Sequence, residues 1–399
     1  MAGRRVYRNS GGRKFRKNAL NILLIILSLV VVVFLIYSIS GPIANYFKNR
    51  AIESEAEPWR PAPLPDQLIA ENNIEKENPV TPIDEPSNAN IKSTQNFSAC
   101  FIPVTSMASS ETLKDALQMA RADGYTAAVV TLKDKGGSFY YNTSSEMAGL
   151  ADNAVKSDLT AEHICTLIKA AGLKPIASVN LLEDHNIYGG YKQGAYKFEN
   201  STSTWYDNRV ESGGKPWLSP FEADTKDFVA FISDEVSKAG FESIIFDGIV
   251  FPPFRQSDLN YIGSTVKAAD RYLGLVNIAN IATEAANKNG AASMLKITAE
   301  DIITGSSEVF KPDLLDSNII LVYYAPENFI KTIVINGDEI VLSDMIISDS
   351  TEVVFNIILE AAGDKEIIPH LDSAGLTQAD FNDVITALIK LGFGAYVIS

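Results

Sequence analysis

Gly240-Phe-Glu-Ser-Ile-Ile-Phe-Asp-Gly-Ile-Val-Phe-Pro-Pro253 is the stretch on which the reading of the fold turns. Ile244-Ile245-Phe246 is a short apolar run, the pattern of a strand buried on both faces. The run ends on Asp247, and Gly248 follows at once. A carboxylate beside buried apolar residues is costly unless it is paired, solvated in a cleft or used. The C-terminal ends of strands line the site of an α/β barrel, so Asp247 is the first candidate for a functional role.

The same texture repeats on either side. Strands are predicted over 99–104, 126–132, 175–182, 243–247, 292–297, 318–324, 366–371 and 394–399. Helical periodicity falls between them, over 111–121, 161–171, 225–239, 259–287, 352–362 and 378–391. Residues 331–342 alternate around Asn336-Gly337, a hairpin signal that reads as an insertion. The fold class expected for residues 98–399 is therefore α/β: a (β/α)8 TIM-like barrel lacking the last helix. An open doubly wound sheet is the alternative. Against it, the residues after the first strand, Thr105-Ser-Met-Ala-Ser-Ser110, form no Gly-rich phosphate loop.

Ahead of this domain lie three other textures. Residues 1–18 carry Arg4, Arg5, Arg8, Arg13, Lys14, Arg16 and Lys17 without an acid, the pattern of a basic cytoplasmic tail. Leu20 to Ile39 is almost wholly apolar and long enough to span a bilayer. An uncleaved signal-anchor over 19–40 is expected, with cleavage near Ser38–Gly41 as the alternative. Residues 41–97 are rich in proline and acids and read as a disordered linker that holds the domain off the membrane. The C-terminal domain is then extracellular.

Removing the seven leading cations from the formal net charge of −15 leaves about −22 on the rest. Such acidity repels phosphate backbones, so no nucleic-acid partner is expected; solubility is its plainer meaning. The two cysteines, Cys100 and Cys165, lie in apolar patterns and read as buried free thiols rather than a disulfide. The three histidines are far apart, without metal-ligand spacing. No metal or organic cofactor is implied.

A barrel would gather the residues that follow each strand. These are Lys133 and Asp134, Asp184 and His185, Asp247, Glu300 and Asp301, Tyr323 and Tyr324, and His370 and Asp372. Aromatics and carboxylates at one mouth suit a sugar, whose ring face stacks while its hydroxyls seek acceptors. Plainer roles compete at several positions. Thr298-Ala-Glu-Asp301 is also a helix-capping signature, Asp372 an Asx-turn residue, and Lys133 a structural ion-pair partner. A long loop after the third strand carries Tyr188, Tyr191, Tyr196, Trp205, Tyr206, Asp207 and Trp217-Leu-Ser-Pro-Phe221. Trp205 and Trp217 read either as a sugar platform or as pins for the loop.

These residues support a family resemblance over roughly 98–399. The domain resembles a bacterial glycoside hydrolase-like family of TIM-barrel domains, distantly similar to the α-amylase clan. The family stretch Gly-Phe-Asp-Glu-Ile-Gln-Phe-Asp-Tyr-Ile-Arg-Phe-Pro is similar to Gly240 through Pro252. Its hydrophobic-Asp-hydrophobic-Lys-Asp-x-x-Gly pattern looks like Val130-Thr-Leu-Lys-Asp-Lys-Gly-Gly137, and its Trp-x-Asn-Pro-Tyr like Trp217 to Phe221. Loose counterparts are Tyr324-Ala-Pro326 and Pro369-His-Leu-Asp372. Three departures stand out. Thr131 replaces an acid, and Gly248 and Val250 replace the Tyr and Arg beside the strand-four carboxylate.

The expected function is a membrane-anchored extracellular glycoside hydrolase acting on a polysaccharide or cell-envelope glycan through paired carboxylates. Asp247 would be nucleophile or stabilising carboxylate, Glu300 the general acid/base, and Asp372 a hydroxyl ligand or alternative acid. Lys133, Asp134, Asp184, His185, Trp205, Trp217, Tyr323, Tyr324 and His370 would bind substrate. The alternative is a catalytically degenerate barrel that binds glycan or an envelope protein without turnover.

Overall fold

The computed structural model describes residues 95–144, 154–186, 193–335 and 338–399, together with Leu64. The predicted membrane span and nearly all of the linker lie outside these residues, as do Tyr188, Tyr191 and the Asn336-Gly337 turn. No helix among the described residues is long and apolar enough to cross a membrane.

Eight strands close into one parallel barrel. They are β1 (Phe97–Ile102), β2 (Ala127–Lys133), β3 (Lys174–Asn180), β4 (Ser243–Asp247), β5 (Ala292–Thr298), β6 (Ile319–Tyr324), β9 (Glu366–Leu371) and β10 (Ala395–Ile398). The ring order is β1-β10-β9-β6-β5-β4-β3-β2. Between β6 and β9, β7 (Thr332–Ile335) and β8 (Asp338–Val341) form the expected antiparallel hairpin. Each strand of the barrel corresponds to a predicted one, and the closed ring excludes the open sheet.

Two-residue alternation builds two buried surfaces. Ala99, Val129, Ile176, Ile245, Met294, Leu321, Ile368 and Val397 fill the barrel interior. Their neighbours Ile244 and Phe246 are equally buried on the outer face, which explains the unbroken apolar run in β4. Each Val, Ile, Leu or Met side chain among them contributes about 1.5–3 kcal/mol by leaving water.

The helices are α1 (Ser110–Ala122), α2 (Ala161–Ala170), α3 (Ala223–Lys238), α4 (Tyr272–Lys288), α5 (Ala299–Ile303), α6 (Ile347–Ala362) and α7 (Gln378–Lys390). Ser109, Thr160, Thr298 and Thr377 cap four of them through side-chain oxygens that accept a backbone N–H from the first turn. One expected helix is shortened. The run over 259–287 is helical only from Tyr272 onward, preceded by short turns at Asp258–Asn260 and Thr265–Lys267. Gly263 breaks it with φ +108°. Ile262 and Val266 turn instead into a second small core with Tyr196, Trp205 and Trp217. Cys100 and Cys165 are free and buried.

Candidate functional site

Above the apolar barrel layer, the same alternation brings polar residues inward. Two residues beyond Ile245, Met294, Leu321 and Ile368 stand Asp247, Lys296, Tyr323 and His370. Strand register places Tyr323 opposite both Thr298 and His370.

Lys296 Nζ donates to Asp247 Oδ2 at 2.8 Å, and Gly248 N–H donates to Oδ1 at 2.7 Å. The same ammonium lies 5.1 Å from the centroid of the Tyr323 ring. The Tyr323 hydroxyl in turn donates to Asp372 Oδ2, whose other oxygen accepts Ala374 N–H at 3.0 Å. Burial, and then the bond to Asp372, push the Tyr323 hydroxyl up from its ordinary value, so it acts as a donor. Contacts therefore run Asp247–Lys296–Tyr323–Asp372. Strands β4 and β9 stand three places apart in the ring of eight, separated by β5 and β6, which carry Lys296 and Tyr323.

Beneath Tyr323 lies His370. It is 2% exposed, stacked on Phe101 at 5.0 Å and edge-on to Tyr323 at 5.2 Å. Neither ring nitrogen has a hydrogen-bond partner among the described residues. Burial, helped by Lys296, holds its pKa well below the ordinary histidine value, so the ring is neutral.

A cleft of about 490 Å³ opens beside this floor. Asp247, Lys296, Tyr323, Phe251, Phe254, Arg271, Asp301 and Glu308 are among the residues that line it. Arg271 grips Glu308 with Nε at 2.8 Å and Nη2 at 2.6 Å, and its guanidinium lies 4.8 Å from the Phe251 ring centroid. Asp301 accepts from Thr298 Oγ1 at 2.7 Å and Ser306 Oγ at 2.6 Å.

Several expected residues lie elsewhere. Glu300 pairs with exposed Lys331 at 3.2 Å, is about half exposed itself, and is not among the residues lining the cleft. It belongs to the first turn of α5, where Thr298 caps the helix. Tyr324 faces the helices rather than the mouth: its hydroxyl meets Thr351 Oγ1 of α6 at 3.1 Å, and burial pushes its pKa up to about 12. Trp205 is fully buried with its indole N–H on Asp258 Oδ2 at 2.9 Å. Trp217 is nearly so, and its N–H reaches Asp207 Oδ2 at 3.1 Å. Both tryptophans hold the loop together. Phe251, Phe254 and Tyr323 are aromatic side chains that line the cleft instead.

The residues after β2 and β3 form a buried knot at the rim. A register shift between Thr131 and Lys133 re-aims the lysine. Its fully buried ammonium then meets Asp184 Oδ2 at 3.0 Å and the Asn180 carbonyl at 3.0 Å. Asp134 closes the following turn by accepting Ser138 N–H and the Tyr140 hydroxyl, each at 2.9 Å. Gly137 must be glycine, because a Cβ there would lie 2.0 Å from Asp184 Oδ1. His185 leans on Trp217 at 5.6 Å, and its bond to Glu183 raises its pKa.

The sequence reading passed over Lys296, Arg271, Glu308 and Phe251. A lysine in phase with Met294 inside a buried strand is a local signal that could have found Lys296. Arg271 and Glu308 are 37 residues apart, and only the fold joins them. Among the described residues, no three His, Cys, Asp or Glu side chains gather to hold a metal.

Comparison with known proteins follows the same lines. Residues 99–299, just over half of the chain, match the model of a family described as "Putative glycosyl hydrolase domain". No curated protein matches. The glycoside hydrolase domain of PgaB (BpsB) from Bordetella bronchiseptica is 13% identical with a TM-score of 0.52, covering 76% of this chain and 94% of that one. A hypothetical protein from Ruminiclostridium thermocellum ATCC 27405 is 20% identical (TM-score 0.41), over 49% of this chain and 96% of that one. An exo β-N-acetylglucosaminidase from Vibrio harveyi is 8% identical (TM-score 0.40), over 69% and 40%. The likeness to the Bordetella domain is one of fold.

Proposed function

The chain belongs to the family described as "Putative glycosyl hydrolase domain", and from that premise we propose that its barrel mouth cleaves a polysaccharide or cell-envelope glycan. One observation carries the reading: Asp247 lines the cleft and is linked, through Lys296 and Tyr323, to a second carboxylate, Asp372, at the end of β9. Hydrolysis of a glycosidic bond needs two carboxylic groups flanking it, one to protonate the leaving oxygen and one to meet the sugar cation. Asp247, fixed at both oxygens and lining the open cleft, takes the second role. Asp372, in its protonated form and reached from the cleft through the Tyr323 hydroxyl, is assigned the first. Neutral His370 keeps a second positive charge away from Lys296 and gives Tyr323 a fixed edge to lean on.

A second reading, glycan or envelope-protein binding without turnover, is favoured by the ion pair that already neutralises Asp247 and by Thr131, where the resembled family has an acid. Its cellular setting comes from the sequence: the apolar run over 19–40 behind seven cations would anchor the chain, with residues 41–97 as a stalk outside the cell.

The test is to offer the full-length protein a set of bacterial surface glycans and measure binding and reducing-end release together. Release of reducing ends supports hydrolysis. Saturable binding without release favours the second reading, and neither one removes the glycan reading altogether.

A further inference from the structure

We infer that the cleft carries a second sugar-binding position, built on the Arg271–Glu308 pair, so that its ligand is an oligosaccharide chain rather than one sugar. The inference rests on the glycan reading above and deepens it. At about 490 Å³ the cleft is in the size range of pockets that enclose a multi-ring ligand. Among the residues that line it, Asp247, Lys296 and Tyr323 form one chain of contacts and Arg271 and Glu308 a separate pair.

The chemistry of the pair suits hydroxyls. Arg271 has five N–H donors. Two go to Glu308 and one, from Nη1, goes to the Val266 carbonyl at 3.1 Å. That leaves two donors beside a carboxylate with spare lone pairs, an array that a sugar's neighbouring hydroxyls complement. The array is rigid. The two-point grip on Glu308 fixes the plane of the guanidinium, and Phe251 lies against it, itself stacked on Phe221 at 6.0 Å and 20°. Side-chain exposures of 28% and 34% leave the pair open to the cleft rather than sealed behind it. Its two charges cancel, so a neutral sugar face meets no net charge there.

A merely structural role is the competing account: Arg271 precedes α4, Glu308 lies between α5 and β6, and the pair would staple the two segments. The two accounts differ in ligand-length dependence. The experiment measures affinity of the full-length protein for one-unit and four-unit members of chito-, cello- and manno-oligosaccharides and of size-sorted peptidoglycan and capsule fragments. In the parent, the four-unit member of the recognised series binds about tenfold more tightly than the one-unit member, as one further charge-assisted hydrogen-bonded position would give. Glu308→Gln and Arg271→Lys, which keep size or charge but lose the fork, bring that ratio close to one by weakening the four-unit member. Melting curves accompany each variant, and Glu308→Gln keeps the test valid if Arg271→Lys does not fold. A ratio that survives in folded variants overturns the second position alone. A parent that binds no member of any series overturns the glycan reading beneath it.

Discussion

Asp247 receives one charged and one backbone donor, and its charged partner comes from the neighbouring strand rather than from its own loop. The resembled family has an arginine at the place of Val250, which here is exposed on the cleft rim. A cation nevertheless reaches the carboxylate, from Lys296 on β5. Lys296→Met should therefore lower turnover by about 10²-fold, the loss typical of removing one preorganised electrostatic contact. Unchanged turnover in that variant would mean that Lys296 does not position Asp247. His370 makes a different prediction. Its pKa is depressed in the fold, so the unfolded chain takes up the proton first as pH falls below about 6.5, and stability is lost from there downward. His370→Phe should flatten that loss between pH 7 and 5, read from urea midpoints. His185, with its pKa raised by Glu183, works in the opposite sense and is common to both proteins. Equal acid slopes for parent and variant would contradict a buried neutral ring.

Between β4 and α4 the chain makes the turn that positions the acid. Gly248 has φ +67°, and a Cβ there would lie 2.3 Å from the Asn180 side-chain amide. A tyrosine, as in the resembled family, would be strained in this backbone conformation. Gly248→Ala should cost at least about 1–2 kcal/mol in thermal or urea unfolding, from left-handed strain alone. The loop after β3 depends on Trp205. Trp205→Phe removes the indole bond to buried Asp258 and should cost about 1–3 kcal/mol. It should also loosen Phe254, which packs 5.1 Å from that indole. Elements were legible where one physical demand governed the pattern. Burial on both faces wrote β4 plainly, and alternation around a turn wrote the hairpin. Where two demands coincide, the pattern misleads. Ile262 and Val266 keep helical spacing but serve the small aromatic core, and Trp205 carries the same composition whether it pins a loop or faces a ligand.

On the scale of the whole chain, the barrel followed from local runs because parallel strands separated by helices have few ways to close. Its mouth was only partly legible. Asp247, Tyr323, His370 and Asp372 lie at strand ends and could be named from order alone, whereas Arg271 and Glu308 meet through the fold. The proposed anchor makes a cellular prediction: the protein sediments with membranes, resists alkaline wash, and loses its C-terminal domain to protease added outside intact cells. A soluble, protease-protected protein would contradict it. The account stands most directly on Asp247. Reducing-end release from the glycan that the parent binds should fall by about 10²- to 10⁴-fold in Asp247→Asn, the range for losing a catalytic carboxylate, while binding of that glycan persists. Release at the parent rate by a folded Asp247→Asn would contradict the central claim.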